Sequence, residues 1–96
     1  MSAYLIVDVA LSDPVAYEEY KAKAPPIIAR HGGEYLVRGG AHAVVEGTWN
    51  PTRLVLLRFP DRTAAQAFID DPDYAPLQAI RHRVAKSDIV LVDGIG

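Results

Sequence analysis

His31-Gly32-Gly33-Glu34-Tyr35-Leu36-Val37-Arg38-Gly39-Gly40 decides the fold, because this one stretch stops a helix, supplies an alternating strand and opens a glycine turn. Just upstream, Asp13-Pro14 is a helix start, with a capping carboxylate and a proline at the first helical position, where its missing N–H costs nothing. Tyr17, Tyr20, Ala24, Ile27 and Ile28 then recur at helical spacing, leaving Glu18, Glu19, Lys21 and Lys23 on the wet side. Pro25-Pro26 removes backbone donors inside this helix, so a kink or two short helices sharing one apolar stripe are expected. Further upstream, Ala3 to Ala10 reads as a strand whose odd positions Leu5, Val7 and Val9 are aliphatic and whose even positions Tyr4, Ile6 and Asp8 are mixed.

Glu34 to Arg38 is the second strand, with Tyr35 and Val37 on one side and Glu34, Leu36 and Arg38 on the other. After the glycine turn, Val44 to Glu46 has the composition of a short extra strand or edge, and Gly47-Thr48-Trp49-Asn50-Pro51 is a loop. Arg53 to Phe59 is a third strand, ended by Pro60. Asp61 caps a second helix from Arg62 to about Ile69, which Asp70-Asp71-Pro72-Asp73 breaks and restarts. The restarted helix carries Tyr74, Leu77, Ile80 and Val84 at helical spacing, with Arg81, His82, Arg83 and Lys86 assigned to its exposed side. Ile89 to Val92 is the fourth strand.

The order strand, helix, strand, strand, helix, strand is that of a ferredoxin-like βαββαβ α+β sandwich, one domain over residues 1–96 with a four-stranded antiparallel sheet. The first and third strands belong in the centre and the helices on one face. The open face collects Tyr4, Ile6, Asp8, Glu34, Leu36, Arg38, Leu54, Leu56 and Arg58, too apolar a set for water and too polar for a plain core. A second copy is the economical cover. Two such sheets face to face are expected to form a dimeric α+β barrel with a cavity at the seam.

Composition narrows the function. Half the residues are hydrophobic and 23% are charged, and the longest apolar runs fall far short of the roughly 20 residues of a spanning helix, so no membrane segment is expected. The start of the chain lacks the basic and apolar regions of a secretory signal, which makes a cytoplasmic location the expectation. There is no cysteine, excluding disulfides, thiolate metal sites and a thiol nucleophile. A net charge of -2 gives no general attraction to nucleic acid. The third strand offers no stacking pair for RNA, and the glycine pairs fit neither the dinucleotide nor the P-loop spacing. The three histidines show no closely spaced pair, so no metal and no cofactor is expected.

Ala3-Tyr4-Leu5-Ile6, Asp13-Pro14 with Tyr17 and Tyr20, the stretch from His31 to Gly39, Glu46-Gly47, Phe59-Pro60 and Asp93-Gly94 together form a recognisable set. Over nearly the whole chain it resembles domain-of-unknown-function family number 1330, in the dimeric α+β barrel superfamily. The resemblance implies a homodimeric barrel and a cytoplasmic, bacterial-type protein with no established activity. Relatives in that superfamily include cofactor-free monooxygenases, muconolactone isomerase-like enzymes, haem-binding peroxidases and proteins without known chemistry, so fold does not choose among them.

The candidate site follows from the open face. Arg38 and Asp8 would orient a small anionic or aromatic molecule there, with Tyr4 shaping its polarity; the alternative is that both charges are structural pairs at the dimer seam. His42, in the glycine loop, and His31, in the last turn of the first helix, are the candidate proton carriers, although a histidine in His31's position more often caps the helix carbonyls. Trp49 is either a lid over the cavity or the anchor of its own loop. The function expected is small-molecule binding by a homodimer, extending to cofactor-free acid–base, oxygenase or isomerase chemistry. The alternative is a non-enzymatic dimeric structural or protein-interaction module.

Overall fold

The computed structural model describes residues 1–96, in the order β1 (Ala3–Leu11), α1 (Pro14–Arg30), β2 (Glu34–Arg38), β3 (Leu54–Phe59), α2 (Arg62–Ile69), α3 (Ala75–Val84) and β4 (Ala85–Asp93). The strands make one sheet in the order β2-β3-β1-β4, with every neighbouring pair antiparallel. Asp13 and Asp61 start their helices as expected, each accepting from the N–H three residues on, Ala16 at 3.0 Å and Ala64 at 2.7 Å. Gly32, at φ +77°, takes the left-handed turn that ends α1. Gly33 then brings the backbone against the core: a Cβ there would stand 2.6 Å from both Ile28 and Phe59.

The helices cover one face of the sheet. Leu5, Val7 and Val9 of β1 and Val55, Leu57 and Phe59 of β3 lie beneath them, packed with Tyr17, Ala24, Ile27 and Ile28 of α1, Ala65 and Phe68 of α2, and Leu77, Ile80 and Val84 of α3. Burying these side chains supplies the main favourable term in folding.

Several expectations are corrected. The chain forms a ferredoxin-like α+β sandwich and not a barrel: the sheet is open, with β2 and β4 as its two unpaired edges. Closing it would require β2 and β4 to pair, and they stand at opposite ends of the strand order. Residues 44–46 form no strand, and the whole connection from Gly40 to Asn50 is exposed.

Helix α1 runs unbroken through Pro25 and Pro26. Pro25 deprives the Lys21 carbonyl of its donor, and Arg38 Nη2 fills the gap at 2.8 Å.

A register shift between Tyr35 and Val37 moves Arg38 to the other face of the sheet. Tyr35 pairs with Leu57, Val37 with Leu56 and Arg38 with Val55, so the extra residue, Leu36, inverts the alternation. Leu36 and Val37 therefore accompany Leu56 on the open face, whereas Arg38 points with Tyr35 and Val55 toward the helices. Arg38 and Asp8, expected together, lie on opposite faces.

Candidate functional site

A cavity of about 350 Å³ lies between the sheet and the helix layer. The sequence placed a cavity on the open face; the structure has it on the face that carries the helices. Its floor is Leu5, Val7, Val55 and Leu57, and its walls include Tyr17 and Tyr20 from α1, Tyr35 from β2, and Phe68 and Tyr74 from the α2–α3 region.

The aromatic wall is continuous. Tyr17 and Tyr20 stack with ring centroids 5.1 Å apart, and Phe68 and Tyr74 approach to 4.4 Å. The Tyr20 and Tyr74 hydroxyls share a hydrogen bond of 2.7 Å. Burial pushes the Tyr20 hydroxyl far above the ordinary tyrosine range, and Tyr74 beside it adds to the shift. Tyr17 and Tyr35 are also raised by burial, against the opposing pull of Arg53 and Arg38 respectively. The Tyr17, Tyr20 and Tyr35 hydroxyls therefore keep their protons at neutral pH.

Three guanidinium groups join this wall: Arg38, Arg53 and Arg81. Arg81 is only 4% exposed. No carboxylate or histidine lines the cavity, and none of the three arginines there is in a salt bridge. The buried Nε atoms of Arg53 and Arg81 have no hydrogen-bond partner at all. A buried donor without an acceptor costs about 1–3 kcal/mol, and more when it carries charge. The cavity is thus an apolar, aromatic enclosure with unspent positive charge.

Arg81 and Arg53 were not singled out from the sequence, although both carry a readable signal. Arg81 sits four residues after Leu77 and three before Val84, inside the buried stripe of α3 and not on its basic outer side. Arg53 shares the odd parity of Val55, Leu57 and Phe59, which all face the helices. Gly39, at φ +70°, leaves room for the Arg53 guanidinium, since a Cβ there would collide with it.

Of the residues expected at a site, only Arg38 lines this cavity. Asp8 faces the open side, where Oδ2 accepts from Trp49 Nε1 at 3.2 Å and Oδ1 from the Thr52 N–H at 2.9 Å. It therefore ties the β2–β3 connection to the sheet, with Trp49 as one of its anchors. These bonds also relieve like charge, because Asp88 stands directly across from Asp8 in β4. Tyr4 is half-buried on the same face, between Arg58 and Val92 in the register.

His42 is exposed in the connection. His31 Nε2 donates to Asp71 Oδ2 at 2.7 Å, and Arg30 reaches the same carboxylate at 3.1 Å. The His31 bond, with help from the Asp73 N–H, holds the Asp71 carboxyl below its ordinary range. This cluster pins the end of α1 to the α2–α3 turn, outside the cavity. The structure does not bring His31, His42, Asp8, Tyr4 or Trp49 together with Arg38.

No curated protein matches the chain. Among solved structures it is similar to RPA0582, a protein of unknown function from Rhodopseudomonas palustris, with TM-score 0.78 and 19% identity over 99% of this chain and 83% of that one. SnoaB, a cofactor-independent oxygenase from Streptomyces nogalater, superposes with TM-score 0.68 and 12% identity, covering 99% of this chain and 94% of that one. A dimeric ferredoxin-like protein of unknown function from Jannaschia sp. CCS1 gives 0.65 and 13%, covering 98% and 100%. At such identities the likeness establishes the ferredoxin-like fold and nothing finer. No helix is long and apolar enough to cross a membrane. Residues 2–95 match the family model described as Domain of unknown function, DUF1330, and the chain belongs to that family.

Proposed function

We propose that the protein binds a small organic anion with an aromatic body in the cavity between sheet and helices, and that it does so as a cytoplasmic homodimer. The observation that carries the reading is the pair Arg53 and Arg81, whose buried Nε atoms lack any acceptor inside a cavity that has no carboxylate. Charges left unpaired in this way are costly, and a ligand carboxylate, phenolate or enolate would accept from both. The stacked tyrosines offer flat apolar surface for the rest of the molecule.

The dimer rests on the opposite face. Leu36, Val90 and Val92 are 49%, 57% and 43% exposed there, and several solved proteins of this fold are described as dimeric. A second copy covering that face leaves the cavity free on the other.

A second reading makes the bound molecule a substrate. Guanidinium groups would favour the anionic form of a bound phenol or enol, and SnoaB, of the same fold, is described as a cofactor-independent oxygenase. In that reading the chain contributes charge stabilisation, since no carboxylate or histidine lines the cavity.

Isothermal titration with 2-naphthoate and with its uncharged analogue 2-naphthamide tests the anion reading. The expected result is a preference for the carboxylate of about tenfold or more, the scale of a buried charge-assisted hydrogen bond. Equal affinity for the two, or no binding of either, contradicts it.

A further inference from the structure

The carbonyl at position i of an α-helix ordinarily accepts from the N–H at i+4. At Lys21 that donor would be residue 25, a proline. Arg38 Nη2 takes the vacant carbonyl at 2.8 Å, while its Cζ lies 4.6 Å from the centre of the Tyr35 ring. A long side chain on an edge strand is thereby given a fixed seat.

The nature of that seat matters. A carbonyl and an aromatic face orient a guanidinium without cancelling its charge, as a carboxylate would. Glu18, the one acid bordering the groove outside α1, is engaged by Lys21 at 3.3 Å. Lys21, Arg38 and Arg53 line both that groove and the cavity, so the seat lies where the two meet, at the mouth.

We infer that Pro25 is a positioning residue that sets the charge preference of the cavity: by withholding one N–H from α1, it docks the Arg38 guanidinium at the mouth, where it favours an organic anion over a neutral molecule of the same shape. The inference rests on the anion-binding reading above and deepens it. Pro26, exposed on the same turn, withholds the donor for Ala22 instead and is the natural control.

The test compares wild type, Pro25→Ala, Pro26→Ala, Arg38→Met and the double variant Pro25→Ala/Arg38→Met by titration with 2-naphthoate and 2-naphthamide. Both proline replacements improve helix propensity, so folding is not at risk. Pro25→Ala supplies an N–H that competes for the Lys21 carbonyl. It is expected to lower the preference for naphthoate over naphthamide roughly three- to fivefold, the size of a partly exposed charge interaction. Arg38→Met should match it, the double variant should lose nothing further, and Pro26→Ala should keep the wild-type preference.

An unchanged preference in Pro25→Ala, equal losses in the two proline variants, or additive losses in the double variant overturns the inference while leaving the anion site standing. If the wild type itself binds both molecules alike, the anion reading falls and this inference falls with it.

Discussion

Arg81→Met is expected to abolish the preference for 2-naphthoate while making the empty protein more stable. The two effects have one cause. Arg81 is 4% exposed, its Nε has no partner, and its guanidinium makes a long 3.5 Å hydrogen bond to His82. Methionine keeps most of the length and apolar stem, loses the charge and leaves no orphaned donor. Unfolding in urea should show a gain of about 1–3 kcal/mol, the range for relieving an unsatisfied buried polar group. Titration should show the naphthoate preference reduced about tenfold or more. A residue that served only the fold would give the opposite pattern, with stability lost and ligand discrimination unaffected.

Val90→Asp is expected to convert a dimer into a folded monomer. Val90 lies on edge strand β4, is 57% exposed, and pairs in register with Ile6 on the open face. In the isolated chain the new carboxylate would sit in water at little cost. In a two-fold symmetric interface it would be buried twice, close to the like charges Asp8 and Asp88. Sedimentation should report a monomer at micromolar concentration, with dimer affinity weakened about a hundredfold or more. The circular dichroism spectrum should be unchanged. Val15→Asp, at an 83% exposed position near the start of α1 on the helix side, is the control and should leave the dimer intact. A dimer that survives Val90→Asp would place its interface elsewhere.

Much of the architecture was legible in the residues, because it follows from local chemistry. Asp-capped helix starts, the Gly32-Gly33 stop and the odd-position aliphatics of β1 and β3 set the elements, the central strands and the face beneath the helices. The proline pair predicted a kink or two short helices, and α1 is one continuous helix. Sequence alone could not show that a side chain from another element would supply the missing donor.

The site was hidden by two features of the same kind. Tyr35-Leu36-Val37-Arg38 alternates equally well with or without an extra residue, so the bulge that turns Arg38 toward the helices left no mark in the pattern. Arg81 lies at an apolar-stripe position, but charged residues are almost never fully buried, and that expectation assigned it to solvent. Both departures from simple patterning fall on arginines that line the cavity. Local rules tend to fail where function takes precedence.

Nuclear Overhauser contacts between the ring protons of 2-naphthoate and methyl groups of the labelled protein would show on which face of the sheet the ligand sits. Val55 and Leu57 line the cavity beneath the helices, whereas Leu56 and Val90 belong to the opposite face. The expected result is contact with Val55 and Leu57 in the wild type, lost in Arg81→Met. Contact with Leu56 and Val90 instead would place the ligand on the open face of the sheet and contradict the assignment of the cavity as the binding site.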